Sequence, residues 1–156
     1  MINYLTIHLK KHELTFGNYL SPLSKYLASI DKSTQIYVRP QTEFITYYAY
    51  YNAVDPNTFQ TQTKWYEPNA IGFQHPTDFQ NIHVKDIHHD LLFCLAKKTN
   101  KKIVLVTNEN LTDAIGEKAL LKKIESYNGV YAYSFIYNMN AIPKDSVIDC
   151  DKRDLN

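Results

Sequence analysis

Hydrophobic and polar residues alternate from the first residues of the chain. Ile2, Tyr4 and Thr6 face one way and Asn3, Leu5, Ile7 and Leu9 the other, which is the period of a β-strand. Residues 13–20 are ambiguous, because Gly17 and Asn18 interrupt any helix there. Ser21-Pro22 then reads as an N-cap followed by proline at the first helical position. Leu23, Tyr26, Leu27 and Ile30 recur at helical spacing, so residues 22–30 are predicted to be a helix whose apolar stripe docks on a sheet. A short strand over 34–39 ends at Pro40. A second strand over 43–52 is dense in aromatic and β-branched residues. Asp55-Pro56-Asn57 has the order of a type I turn, and Phe59, Thr61, Thr63 and Trp65 alternate after it with Gln60, Gln62, Lys64 and Tyr66. The pattern predicts an antiparallel meander with its best hairpin over 43–66. Residues 67–81 carry Pro68, Gly72 and Pro76 without a clean period and read as an ordered loop.

The second half changes character. Residues 84–99 read as a helix with Ile87, Leu91, Cys94 and Leu95 along one face, and His83 falls just before it. Ile103-Val104-Leu105-Val106 is an uninterrupted apolar run, as expected of a central strand buried on both faces. A helix over 111–127, bent at Gly116 and stopped by Asn128-Gly129, and a strand over 130–137 complete an expected parallel βαβ unit. Val147-Ile148 is the core of a possible last short strand, and the chain is mostly polar from 149 onward. The fold class this implies is α+β: a single domain over 1–156 built on a mixed β-sheet, an antiparallel meander plus a parallel βαβ unit, with helices mainly on one face.

Composition narrows the function classes. A chain of 156 residues with 44% hydrophobic residues can bury one sizeable core. The formal net charge of +1 supplies no long-range field for phosphate backbones or anionic lipid. Among the basic residues only Arg39 and Arg153 are arginine, the residue that base readout and bidentate phosphate clamps favour. Neither nucleic acid nor a membrane is therefore expected as a partner. The start of the chain lacks signal-peptide features, and no apolar run approaches spanning length. Cys94 sits in an apolar run where a buried, inert thiol is the default, and two cysteines are too few for a disulfide scaffold. These features predict a soluble, reduced, cytoplasmic protein.

Candidate chemistry is sparse. The histidines are His8, His12, His75, His83, His88 and His89. Residues 7–10 and 82–85 look alike and invite a two-histidine phosphoesterase reading, but lysines stand where that mechanism wants hydroxyls. Adjacent histidines such as His88 and His89 point about 100° apart on a helix and so do not readily share one ion. Neither a metal site nor a cofactor is expected. Glu109, in the polar stretch 107–110 after the buried strand, lies where α/β sheets bind ligands, although capping of the next helix accounts for the same residues. Asp149 and Asp151 of the acidic tail are offset by Lys152 and Arg153. No nucleophile elbow or Ser-x-x-Lys pattern supports covalent catalysis, so the reading leans away from an enzyme.

Thirteen tyrosines stand out against this background. An AT-rich genome would also inflate that count. Read as strands, 43–52 and 130–137 each carry aromatic faces, and Tyr48, Tyr50, Trp65, Tyr66, Tyr131 and Tyr133 form a candidate protein-binding patch. The function expected from this is a small bacterial protein-binding module, an immunity or antitoxin-type inhibitor that occludes a partner toxin or enzyme, with a homo-oligomer possible. The alternative is a phosphoester hydrolase or nuclease drawing on His8, His83, His88, Glu109 or the tail aspartates.

Overall fold

A computed structural model of the chain describes residues 19–39, 43–68, 71–72, 74–125, 132–142 and 150. The expected strands over 2–9 and around Val147-Ile148 lie outside the described residues. In chain order the elements are α1 (Leu20–Ala28), β1 (Gln35–Val38), α2 (Phe44–Tyr51), α3 (Pro56–Gln62), β2 (Thr63–Trp65), β3 (Pro76–Phe79), β4 (Ile82–Val84), α4 (His89–Thr99), β5 (Ile103–Thr107), α5 (Thr112–Ile115), β6 (Leu120–Glu125) and β7 (Ala132–Asn138). Short 3-10 turns at Glu117–Ala119 and Met139–Ala141 precede β6 and follow β7. The strands form one mixed sheet in the order β2-β3-β4-β1-β5-β7-β6. This is the expected α+β class, with an antiparallel meander (β2-β3-β4) and a parallel centre in which β1 pairs with both β4 and β5.

The elements that supply those parts differ from expectation. Residues 43–52 are not a strand but helix α2. Phe44, Ile45, Tyr48 and Ala49 are its buried residues, which is helical spacing. A run of eight residues that is apolar or aromatic at all but Thr46 fits period 2 and period 3.6 equally, and docking against α1 selects the helix. Asn52 fastens the end of α2 to α1, its side-chain amide donating to Tyr48 O at 2.9 Å and Ser24 O at 3.4 Å. Asp55-Pro56 is a helix start, not a turn between strands: the Asp55 carboxylate accepts from Thr58 N–H at 2.8 Å, and Pro56 occupies the first turn of α3. The expected strand over 59–66 therefore shrinks to β2, and the expected loop over 67–81 contains β3. Gly116, at φ +87°, ends α5 after one turn, so the expected long helix over 111–127 becomes α5 and edge strand β6. With β6 intervening, β7 pairs with β5 antiparallel, not parallel.

β5 is buried at all five positions because both of its faces are covered. Val104 and Val106 face a core shared with Ile36, Val38, Ile82 and Phe79, and with α1 and α2; the half-buried Phe59 brings α3 to the same side. Ile103 and Leu105 face the second core, made by α4, Ile115, Phe135 and Tyr137. Among the described residues, three helices thus cover one face and two the other. Adjacent lysines on the edge strand β6 serve opposite faces. Lys122 lies 5.1 Å from the Tyr26 ring and Lys123 lies 5.9 Å from the Phe135 ring, so their charges guard the edge while their stems cover apolar surface.

Cys94 is buried in the second core, as expected, but it is not a free thiol. It forms a disulfide with Cys150, with the Cα atoms 5.4 Å apart and the two residues 56 positions apart in sequence. Sequence distance carries no information about this pair, because the bridge depends on how the fold sets Cys150 against α4. Reduction, or Cys150→Ser, is expected to lower stability by about 2–4 kcal/mol, read as the difference in urea unfolding with and without the bridge. Tyr137 is fully buried, and its hydroxyl accepts from Leu111 N–H at 2.8 Å. Tyr137→Phe leaves that amide unpaired and is expected to cost about 1–3 kcal/mol in the same assay.

Candidate functional site: two grooves joined at Trp65

The parity of the sheet produces the site. In the cross-strand row Lys64-Asp78-His83-Tyr37-Leu105-Tyr137, each residue is in register with the next on the adjacent strand. The apolar end of the row lies in the core under α4. Toward the polar end, Tyr37, His83 and Asp78 line a groove of about 500 Å³, with Trp65, Tyr66, Glu67, Thr77 and Lys85 on its walls. Alternation along each strand thus puts apolar residues on the α1–α2 side and a polar row on the other.

Within this groove His83 is held from both sides. Its Nδ1 meets Asp78 Oδ1 at 2.5 Å and its Nε2 meets Gln35 Oε1 at 2.8 Å, while its ring packs on Tyr37 with centroids 4.9 Å apart. An imidazolium donates to both oxygens; a neutral ring protonated at Nδ1 needs the Gln35 amide turned so that its NH2 faces Nε2. Burial works to raise the Asp78 carboxyl, but the hydrogen bonds from His83 and from the Thr77 hydroxyl, at 2.9 Å, outweigh it and hold the group below the ordinary carboxylate range. Burial pushes the Tyr37 hydroxyl up, and the Asp78 charge adds to that shift.

A second groove of about 510 Å³ opens on the other side of Trp65. It is lined by Thr46, Tyr47 and Tyr50 of α2, by Trp65 and Pro76, and by Glu43, Gln74 and His75. Tyr50 is 77% exposed, Trp65 41% and Tyr66 55%, which makes them three of the large exposed apolar side chains among the described residues. The Trp65 indole is fixed edge-on against Phe59, with centroids 5.9 Å apart, so it is pre-positioned by the α3–β2 junction.

The expected aromatic patch is therefore only partly assembled. Tyr50, Trp65 and Tyr66 converge on the grooves. Tyr48 does not: it is 8% exposed and packs on Phe44 and Phe79. The helix rotates it to the core side, whereas a strand would have aligned it with Tyr50. Tyr131 lies outside the described residues, as does the side chain of Tyr133. His83 is in a strand, not before a helix, and its partners Asp78 and Gln35 were not legible, because only strand pairing brings residues 35, 78 and 83 together. His8, His12, Asp149 and Asp151 lie outside the described residues. Glu109 stands at the carboxyl edge of the parallel strands as expected, but 3.6 Å from Arg39. His88 and His89 are in ring contact, centroids 4.2 Å apart, contrary to the helical expectation, since His88 is the extended N-cap of α4 and not part of the helix.

No family model matches this chain, and no curated protein and no solved structure matches it.

The Asp78–His83 pair makes the protein acid-sensitive in a defined window. A carboxyl with a lowered folded-state pKa adds stability that is present above the unfolded value of about 4 and is lost as pH falls through the lower folded value. Asp78→Asn is expected to flatten the stability profile across that window and not above it, as measured by urea unfolding at a series of pH values.

Proposed function

We propose that this chain is a protein-binding module that grips its partner at the two grooves flanking Trp65. The observation that carries the reading is the gathering of Tyr50, Trp65 and Tyr66 around adjoining clefts. Exposed aromatic side chains on a rigid scaffold combine large contact area with low ordering cost, and such residues dominate interface energetics. The two grooves differ in character. One is walled by tyrosine, tryptophan and proline and suits an apolar side chain; the other presents Asp78, Glu67, Lys85 and His83 and suits a polar or charged one. A partner that inserts one of each would be read for both shape and charge. An inhibitor of the immunity or antitoxin type, which occludes a toxin or enzyme, is the class of binder this supports best. No helix of the described residues is long and apolar enough to cross a membrane. The Cys94–Cys150 bridge favours an oxidising compartment over the reduced cytoplasm expected from cysteine count.

A hydrolase reading draws on His83, oriented by Asp78 in an open groove as a general base would be. It is the weaker reading, because Nε2, the atom that would take a proton, already contacts Gln35.

Affinity capture with the tagged chain from its native host, followed by mass spectrometry, is expected to retain one stoichiometric protein after a salt wash. Trp65→Ala and Tyr50→Ala should each weaken that complex by about tenfold or more at unchanged thermal stability. Tyr48→Ala, by contrast, should lower stability, since it truncates the core. Retention of the partner by the Trp65→Ala, Tyr50→Ala double variant would remove the grooves from consideration.

A further inference from the structure

The carboxyl edge of the parallel strands carries a second constellation, separate from the grooves at Trp65. Arg39 follows β1, Asp86 and His88 follow β4, and Glu109 follows β5, so three parallel strands deliver these residues to one edge. The chain leaves β1 for α2 on one face and leaves β4 for α4 on the other. Adjacent strands whose connections part to opposite faces open a crevice at their carboxyl ends, which is where open α/β sheets bind ligands.

We propose that this edge is a divalent transition-metal site formed by His88, His89 and Asp90. One donor atom from each of the three lies within 4.8 Å of the others. His88 Nδ1 is 3.4 Å from Asp90 Oδ2, and His89 Nε2 is 3.2 Å from Asp90 Oδ1. Two imidazoles thus converge on one carboxylate, a donor set that suits Zn2+ and its neighbours and leaves coordination positions for water or an external ligand. Backbone conformation makes this possible for consecutive residues. His88 is extended, at φ −67° and ψ 142°, so its ring turns back over the first turn of α4 instead of pointing about 100° away.

Charge favours a cation over an anion here. Asp86 and Glu109 flank Arg39 at 3.5 and 3.6 Å, and Asp90 adds a carboxylate beside the two imidazoles. The His88 side chain is half exposed, which leaves an entry path, while those of His89 and Asp90 are mostly buried and hold the inner part of the site rigid. Cys94 and Cys150 are joined to each other and do not compete for the ion.

The test uses the intact, disulfide-bonded chain, stripped of metal with a chelator. Zn2+ titration by calorimetry is expected to show one site per chain, and Co2+ to give the visible d–d absorption of a site with nitrogen and oxygen ligands. In a histidine-ring NMR spectrum, Zn2+ should move the His88 and His89 signals and leave that of His83 in place, a readout that needs no substitution. His89→Ala and Asp90→Asn should each weaken binding by about tenfold or more, and His75→Ala should not. Absence of stoichiometric binding, ring shifts confined to other histidines, or equal affinity in all three variants overturns the proposal.

Discussion

Burial of β5 on both faces is the constraint from which the rest of the architecture follows. A strand of five apolar and β-branched residues that meets no water must have helices above and below it, and the pleat divides its side chains between two cores. One core is closed by α1 and α2, the other by α4 and the 3-10 turn after β7. The same division runs outward along every register row. Near β5 the α4 side of the sheet is apolar and covered. Across the next four strands, as the helical cover runs out, it becomes in turn Tyr37, His83, Asp78 and Lys64. The polar groove is the continuation of the core surface past the end of its helical cover.

Trp65 links this gradient to the other face of the sheet. β2 is a three-residue edge strand with a register shift between Lys64 and Trp65, and a residue at such an irregularity can line both sides of an edge. Phe59 holds the indole from behind, and Tyr50 approaches it across the second groove. Exposed aromatic rings thus stand at the β2 edge of the described sheet, while the lysines of β6 stand at its opposite edge. The two edges of the described sheet differ in character: one carries lysines and the other exposed aromatic rings.

Much of the secondary structure was legible wherever one period dominated. The α1 stripe, the 34–39 strand, the 103–106 run and the 130–137 strand each had one clear periodicity or an apolar run bounded by breakers. The failures cluster where two periods coincide. FITYYAYY is apolar or aromatic at every position but Thr46, so counting alternation could not distinguish a strand from a helix. Asp55-Pro56 begins turns and helices with the same chemistry, and the helix that follows settled which. Leu120 and Ile124 are four apart, as on a helix, but the positive φ of Gly116 ended the helix before them, and in β6 a register shift sets Leu120 toward one core and Ile124 toward the other.

Local interactions therefore determined what the chain alone could reveal: an α+β class, a fully buried central strand and an aromatic-rich chain. These depend on neighbours within a few residues and on composition. Tertiary structure decided the rest. It rotated Tyr48 inward and Tyr50 outward, set Asp78, His83 and Gln35 within hydrogen-bonding distance, folded His88 onto His89, and joined Cys94 to Cys150. Each of these is a contact between strands, across a helix cap or between a helix and the tail. Its geometry depends on pairing register and backbone conformation that no local pattern of residue types encodes.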